Sequence, residues 1–148
     1  MNFTDYFDNI PTFMLRTCNL RQIGLHDASN LFRYYNNKNV YQYLDWNGPS
    51  SEEEAKKIIN HWNHGFKDGW IIRFGIVDPQ QNELIGTIFL NGFEGRRCEI
   101  GYELSEEYWN KGIMSDAIKA MIDLALSHLI EHVFKQQFAL KILHQNHY

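Results

Sequence analysis

Residues Glu99–Ala117, EIGYELSEEYWNKGIMSDA, set a strand, a tight loop holding Lys111 and Gly112, and the start of a long helix in immediate succession. A helix start leaves backbone N–H groups without partners inside the helix and carries a partial positive charge. It is therefore a ready seat for a phosphate-bearing ligand. Gly112 lets a ligand come close to the backbone with no side chain in the way, and Lys111 adds a cation. An ordinary strand-to-helix loop accounts for a single glycine equally well. Glu99 and Glu103 lie four apart on the strand, so both side chains point to the same face. Together these features point to a phosphate-bearing cofactor and a reaction that needs a base.

Working outward, Arg97–Leu104 reads as the last strand of an antiparallel meander. Trp70–Val77 and Leu84–Leu90 are the preceding strands, with Asp78-Pro79-Gln80-Gln81-Asn82 as the turn of a hairpin. Gly86 within its strand predicts a bulge or a close backbone approach. Asn91-Gly92 with Glu94-Gly95 predicts the next turn. Upstream, Ser51 and Glu54 fit a capping box ahead of an amphipathic helix carrying Ala55, Ile58, Ile59, Trp62 and Phe66. Leu15–Ile23 reads as a strand. His26 or Asp27 opens a helix with Leu31, Phe32 and Tyr35 on one face, and the turn chemistry of Asn36–Asn39 ends it. Downstream of Gly112, the polar residues Asp116, Lys119, Asp123, Ser127 and Glu131 form one narrow stripe on an otherwise apolar helix, which predicts a mostly buried element. Val133–Leu143 reads as a strand or as an extension of that helix. The expected fold is a mixed α/β (α+β) domain with a mainly antiparallel central sheet flanked by helices. It is not a Rossmann fold, because strand–helix alternation is missing.

The chain has 148 residues, a size expected of one domain, 1–148, with 1–12 as an N-terminal extension and 132–148 as an atypical tail. With 44% hydrophobic and 15% aromatic residues it can bury a substantial core. A net charge of −4 argues against a nucleic-acid partner. No apolar run has the length of a signal peptide or a membrane span. Cys18 and Cys98 have no metal-type spacing and read as reduced thiols, so the expected location is the cytoplasm.

The Glu99–Ala117 run resembles the acyl-CoA-binding core of the GNAT acetyltransferases, nearest the branch that acetylates the N-termini of ribosomal proteins. That family's helix start reads Gln or Arg, two residues, Gly, one residue, then Gly or Ala. Here it is Trp109-Asn110-Lys111-Gly112-Ile113-Met114: Gly112 fits, while Trp109 and Met114 depart. The resemblance also takes in Leu20-Arg21 through Asp27-Ala28, Tyr43-Leu44-Asp45-Trp46 with the Glu-rich helix start, and Glu83–Ile88. It runs from about Leu15 to about Leu129 in the expected element order.

The resemblance implies acetyl-CoA as co-substrate. Its pyrophosphate would lie on the backbone of Trp109, Asn110, Lys111, Gly112, Ile113, Met114 and Ser115, and its pantetheine arm on the backbone of Tyr102 and Leu104. The acceptor is then a small-molecule or peptide amine. An amine is mostly protonated at neutral pH and must lose a proton before attacking a thioester, so a base or water relay is required. Glu99 is the first candidate and Glu103 the second; a carboxylate satisfied by Arg96, Arg97 or backbone donors is the plain structural alternative. Tyr43 and Trp46, in a loop, are the candidates for the acceptor pocket, where an aromatic face can hold a cation. Trp62 reads as core. The implied activity is N-acetyl transfer; the alternative is a degenerate member of the fold that binds CoA or a protein without turnover.

His128-Leu129-Ile130-Glu131-His132 matches an inverted zinc-protease motif, but no carboxylate follows Glu131 as a further ligand, so no metal is expected. The C-terminal segment shows neither the Asn-x-x-Ser helix nor the last strands that the resemblance implies. The sheet edge left open can be covered by the tail folding back, or by a homodimer, which is the favoured expectation, or left as it is in an inactive form.

Overall fold

Six strands succeed one another across a single sheet in chain order: β1 (Phe13–Met14), β2 (Asn19–Arg21), β3 (Ile71–Asp78), β4 (Glu83–Glu94), β5 (Arg97–Leu104) and β6 (Ala139–Ile142). The first five run antiparallel to their neighbours, and β6 runs parallel to β5. Among the described residues there are four α-helices, α1 (Ala28–Tyr35), α2 (Lys38–Tyr41) and α3 (Glu52–Asp68) between β2 and β3, and α4 (Ile113–Leu124) between β5 and β6, with short 3-10 turns and a π-helical segment, Ala125–Leu129, after α4. This computed structural model describes residues 3–95, 97–129 and 139–142.

The mixed, mainly antiparallel sheet flanked by helices is the architecture expected from the sequence. Alternation along β3, β4 and β5 sorts its two faces. Ile72, Phe74, Ile76, Ile88, Leu90, Ile100, Tyr102 and Leu104 join Ile113, Met114, Ala117 and Met121 of α4 in one core. Ala28, Leu31, Tyr34 and Tyr35 of α1 pack with Ala55, Ile59 and Trp62 of α3 in the second. Phe3 is fully buried and stacks on Phe66 at 5.5 Å, so the expected N-terminal extension begins inside the first core.

Several local readings shift. The single strand expected over Leu15–Ile23 is a hairpin: Leu15 N–H donates to Cys18 C=O at 2.9 Å, and β1 and β2 flank that turn. Of the turn expected at Asn91-Gly92 with Glu94-Gly95, the first pair is a bulge inside β4, with the register shifting between Asn91 and Glu94, and the chain turns at Gly95 between β4 and β5. Cross-strand bonding thus carries the strand through a glycine-bearing pair that reads locally as a turn. Gly86 lies at a second register shift, opposite Ile76, and a Cβ there would stand 2.4 Å from the Glu103 carbonyl oxygen. Both readings offered for it, bulge and close approach, describe it.

At the α3 start Ser51 Oγ accepts from the Glu54 N–H at 3.0 Å, as a capping box requires. The Glu54 carboxylate returns one residue further upstream than the motif places it, to the Ser50 N–H and hydroxyl. Asp27, ahead of α1, accepts from the Gly24 N–H at 2.8 Å and from both terminal nitrogens of Arg21 at 2.8 and 2.9 Å.

The edge of β5 expected to lie open is covered by the chain's own β6, in register from Arg97↔Ala139 to Ile100↔Ile142. Of the ways to cover that edge, this is the tail folding back, and it reaches the Arg97–Ile100 half of β5.

Candidate functional site

Register places the site on one face of the sheet. Glu99 is the cross-strand partner of Asn91, Gly101 of Phe89, and Glu103 of Thr87, while Phe89 is also the partner of Arg73 on β3. Side chains alternate, so Arg73, Thr87, Phe89, Asn91, Glu99 and Glu103 all rise from the face that α1 and α3 cover. A Cβ at Gly101 would stand 2.3 Å from the Phe89 ring, so the glycine leaves the room that the ring fills.

A cleft of about 440 Å³ opens above this face. Glu99, Glu103, Arg73, Phe89 and Asn91 line it from the sheet, Tyr35 from α1, and Tyr43–Trp46 from the loop after α2. The structure therefore brings together the four residues that sequence reasoning named for catalysis and acceptor binding: Glu99, Glu103, Tyr43 and Trp46. Trp46 rests against Tyr35, with ring centroids 5.2 Å apart, and Tyr43 is 61% exposed at the mouth. Trp62 takes no part in the lining and is buried on α3, as its helical position predicts.

The two carboxylates have unlike surroundings. Glu103 is 2% exposed. It accepts from the Tyr34 hydroxyl at 2.8 Å and from the Thr87 hydroxyl, whose oxygen lies 2.7 and 2.9 Å from its two oxygens. Thr87 Oγ1 in turn accepts from Arg73 Nη1 at 2.8 Å, and that nitrogen stands 3.9 Å from the carboxylate. Burial pushes the Glu103 pKa up; Arg73 and the hydroxyl bonds oppose it. Burial pushes the Arg73 pKa down, against the pull of Glu103. The guanidinium lies between two rings, 3.9 Å from the centroid of Trp62 and 4.1 Å from that of Phe89.

Glu99 sits half-buried, and its carboxylate rests in the space left by Gly92, where a Cβ would lie 3.1–3.3 Å from it. Gly92 has φ +62°, the left-handed region a glycine enters freely.

The far end of β5 leads to the phosphate-type loop. Asn110 and Gly112 take positive φ, at +61° and +79°, and Gly112 is the N-cap of α4. Asp116 N–H makes a first turn bond to Gly112 C=O at 3.2 Å. The N–H groups of Ile113, Met114 and Ser115 therefore have no acceptor within the helix. A Cβ on Gly112 would meet nothing within 4 Å, so the approach to these donors is open. Lys111 carries its ammonium 5.4 Å from the Tyr108 ring centroid.

Trp109, a departure from the family pattern, has a defined local role: its indole N–H donates to the Leu104 carbonyl at 2.8 Å. Ser105 N–H bonds to Ile85 C=O at 2.7 Å, which fixes the alternation along β5. Glu103, Gly101 and Glu99 turn their backbone groups to β4, whereas Tyr102 and Leu104 turn theirs to the opposite edge. Among the described residues β6 pairs along that edge up to Ile100. Leu104 thus offers an N–H there, its carbonyl being engaged by Trp109.

Arg73, Thr87, Asn91 and Tyr34 were missed by sequence reasoning. A charged residue inside the apolar run IIRFGIV was the available signal for Arg73. No group of metal-binding side chains occurs among the described residues, and the His-x-x-Glu-His motif falls at a stretch whose Glu131 and His132 lie outside them.

The fold joins a carboxylate-bearing cleft to an anion-ready helix start along one strand. The sequence model for the acetyltransferase (GNAT) domain matches residues 18–147, and the chain belongs to that family of enzymes. It is 31% identical over 122 residues to the uncharacterized N-acetyltransferase p20 of Bacillus licheniformis, covering 81% of this chain and 68% of that protein. It is 30% identical to the ribosomal protein uS5 alanine N-acetyltransferase of Escherichia coli (strain K12), covering 79% of this chain and 65% of that protein. The structure of RimL, a ribosomal L7/L12 alpha-N-protein acetyltransferase in complex with coenzyme A, superposes with a TM-score of 0.67 at 26% identity, covering 82% of this chain and 70% of that one. The chain thus spans about two-thirds of the length of the relatives it matches.

Proposed function

We propose that the chain transfers an acetyl group from acetyl-CoA to a primary amine, with Glu99 as the base. The carrying observation is that β5 presents Glu99 in an aromatic-mouthed cleft at one end and runs into the Gly112 helix start at the other. The acceptor is a protein or peptide N-terminus or a small-molecule amine. The relatives named for ribosomal-protein acetylation favour a peptide α-amine.

The residues present fit the co-substrate. The N–H groups of Ile113, Met114 and Ser115, with Asn110, Lys111 and the open backbone of Gly112, would hold the pyrophosphate. The outward edge of β5 at Tyr102 and the Leu104 N–H suit the amides of the pantetheine arm, as an added strand would be held. Bound there, acetyl-CoA supplies an electrophilic acyl carbon and a thiol leaving group. Tyr43 and Trp46 hold the incoming ammonium by their ring faces. Glu99 takes one proton from it. The freed nitrogen lone pair forms the C–N bond as the C–S bond breaks, and the second proton the nitrogen sheds neutralises the departing sulfur. Glu103 is bonded to Thr87 and Tyr34 and balanced by Arg73 in a 2% exposed position, whereas Glu99 is half-buried at the cleft, and that exposure supports Glu99 as the proton acceptor.

The direct test is amine-dependent release of CoA thiol by purified protein. Glu99→Gln is expected to lower kcat by roughly 10²–10⁴-fold, the usual worth of a positioned base. Turnover that survives this change within two-fold would remove Glu99 from the mechanism. The cofactor half is tested separately by calorimetric titration of acetyl-CoA. Gly112→Asp tolerates the positive φ better than most residues but brings a carboxylate against the phosphates, and should weaken binding by at least about ten-fold. Circular dichroism checks that its fold is kept, and unchanged affinity would discard the phosphate seat.

A further inference from the structure

The segment that leads into the cleft-mouth loop is bonded directly to the segment that leads into the Gly112 helix start. Glu106 opens the short 3-10 turn Glu106–Tyr108 between β5 and α4. Its carboxylate accepts from Asn37 Nδ2 at 2.7 Å and from Asn39 Nδ2, which stands 3.0 and 2.9 Å from its two oxygens. These bonds span 69 and 67 residues of chain. The two amides, Asn39 foremost, hold the Glu106 carboxyl below the usual carboxylate range, so the bonds are charge-assisted.

Each side of this clamp continues into one half of the site. Asn37 is the N-cap of α2, its Oδ1 accepting from the Asn39 N–H at 2.9 Å. Val40 of α2 is buried in the second core, and Leu44 N–H bonds back to Tyr41 C=O at 2.9 Å. Tyr43–Trp46 at the cleft thus follow the clamped asparagines in one hydrogen-bonded run. On the other side, the Glu106 carbonyl accepts from the Trp109 N–H at 3.0 Å, and Asn110, Lys111 and Gly112 come next. The clamp is able to open. Asn39 is exposed, and Asn37 and Glu106 line a cavity of about 240 Å³ with Arg33, Glu83 and Tyr108. Hydrogen bonds that water reaches open at lower free energy than those of a core.

We propose that Glu106 is a positioning residue that couples the two halves of the site: CoA on the Gly112 helix start holds the clamp to Asn37 and Asn39 closed, and so fixes Tyr43 and Trp46 over the cleft. This rests on the reading of that helix start as the phosphate seat. A ligand shifts an equilibrium only through contacts that differ between the two states. Phosphates bonded to the backbone before α4 fix the chain from Trp109 onward, and the Trp109 N–H bond passes that constraint to Glu106. Its two oxygens then meet both amides of the α2 segment. By linkage, an acceptor that fixes the Tyr43–Trp46 loop tightens CoA by the same factor.

The test is hydrogen exchange read by mass spectrometry, with and without saturating CoA, on the wild type, Glu106→Ala, Asn39→Ala and Glu107→Ala. Calorimetric titration of CoA into each protein sets saturation, and α3 is the reference for general stabilisation. CoA should slow exchange over residues 37–46 of the wild type by at least about five-fold, the low end of usual coupling between sites. In Glu106→Ala and Asn39→Ala it should slow them by less than about two-fold, as for uncoupled segments, while still protecting residues 110–116. Asn39→Ala cuts the clamp from an exposed position and keeps the backbone N–H that bonds Asn37. Glu107→Ala removes the same charge one position on and should behave as the wild type. Equal slowing in the wild type and both clamp variants would overturn the proposal and leave the phosphate seat standing. So would a wild type that binds CoA without slowing residues 37–46. A wild type that binds no CoA would fail the proposed function at its cofactor half, and the coupling would fall with it.

Discussion

Two ends of one strand face hold the same side chain in opposite circumstances. At the Glu103 end of β5 the carboxylate is buried, bonded by Tyr34 and Thr87, and balanced by an arginine held between two aromatic rings. Four residues earlier, Glu99 is half-buried beside a glycine, an amide and the cleft. A carboxylate buried to 2% and bonded by Tyr34 and Thr87 serves to hold the packing of α1 against the sheet. One facing a cleft can exchange its proton with something that enters. Position on the strand made the two equivalent; their neighbours on α1, β3 and β4 made them different.

The comparison breaks most visibly in stability. Glu103→Ala leaves Arg73 buried with its charge uncompensated, and should cost about 3–5 kcal/mol in urea unfolding. Glu99→Ala should stay within about 1 kcal/mol of wild type. Equal losses would mean that the two carboxylates are not divided as described. Thr87→Val sharpens the account, since it keeps the shape and removes only the hydroxyl that joins Arg73 to Glu103. It should destabilise by about 1–3 kcal/mol, and Thr87→Ser by less.

The smallest effect is a pH dependence. Burial raises the Glu103 pKa, so the folded state holds its proton more tightly than the unfolded chain, whose carboxyl titrates near ~4.3. Between that value and the folded pKa the native state binds more protons, and the stability gained from protonated Glu103 is lost as pH rises through this window. The difference in unfolding free energy between wild type and Glu103→Gln should therefore drift against the wild type as pH climbs above about 4.3. A difference that is flat, or drifts the other way, would show that the bonds from Arg73, Thr87 and Tyr34 outweigh burial.

Much of the fold could be read from local pattern. Strong periodicity, the Ser51 cap and the Gly112 helix start each depend on residues close in sequence, and those elements stand where they were expected. The Leu15–Ile23 strand and the Asn91-Gly92 turn were misjudged for one reason. Whether a short polar or glycine-bearing stretch turns or continues is settled by what pairs with it across the sheet, and β3 and β5 lie outside any local window. The site was legible in the same degree. Glu99 and Glu103 share a face by strand periodicity alone, but Arg73, Thr87 and Asn91 join them only through register.

The amino-acid sequence by itself determined the meander of β3, β4 and β5, the capped start of α3, the helix start that suits a phosphate and the strand carrying two carboxylates. These follow from propensity, capping and period, all short-range properties of the chain. Tertiary structure alone decided which of the two carboxylates lining the cleft is buried against α1 and which is half-exposed, that Trp109 turns its indole onto Leu104, and that β6 closes beside β5. Each of those depends on contacts between segments far apart in the chain, where burial and cross-strand register assign a side chain its partners and, through them, its chemistry.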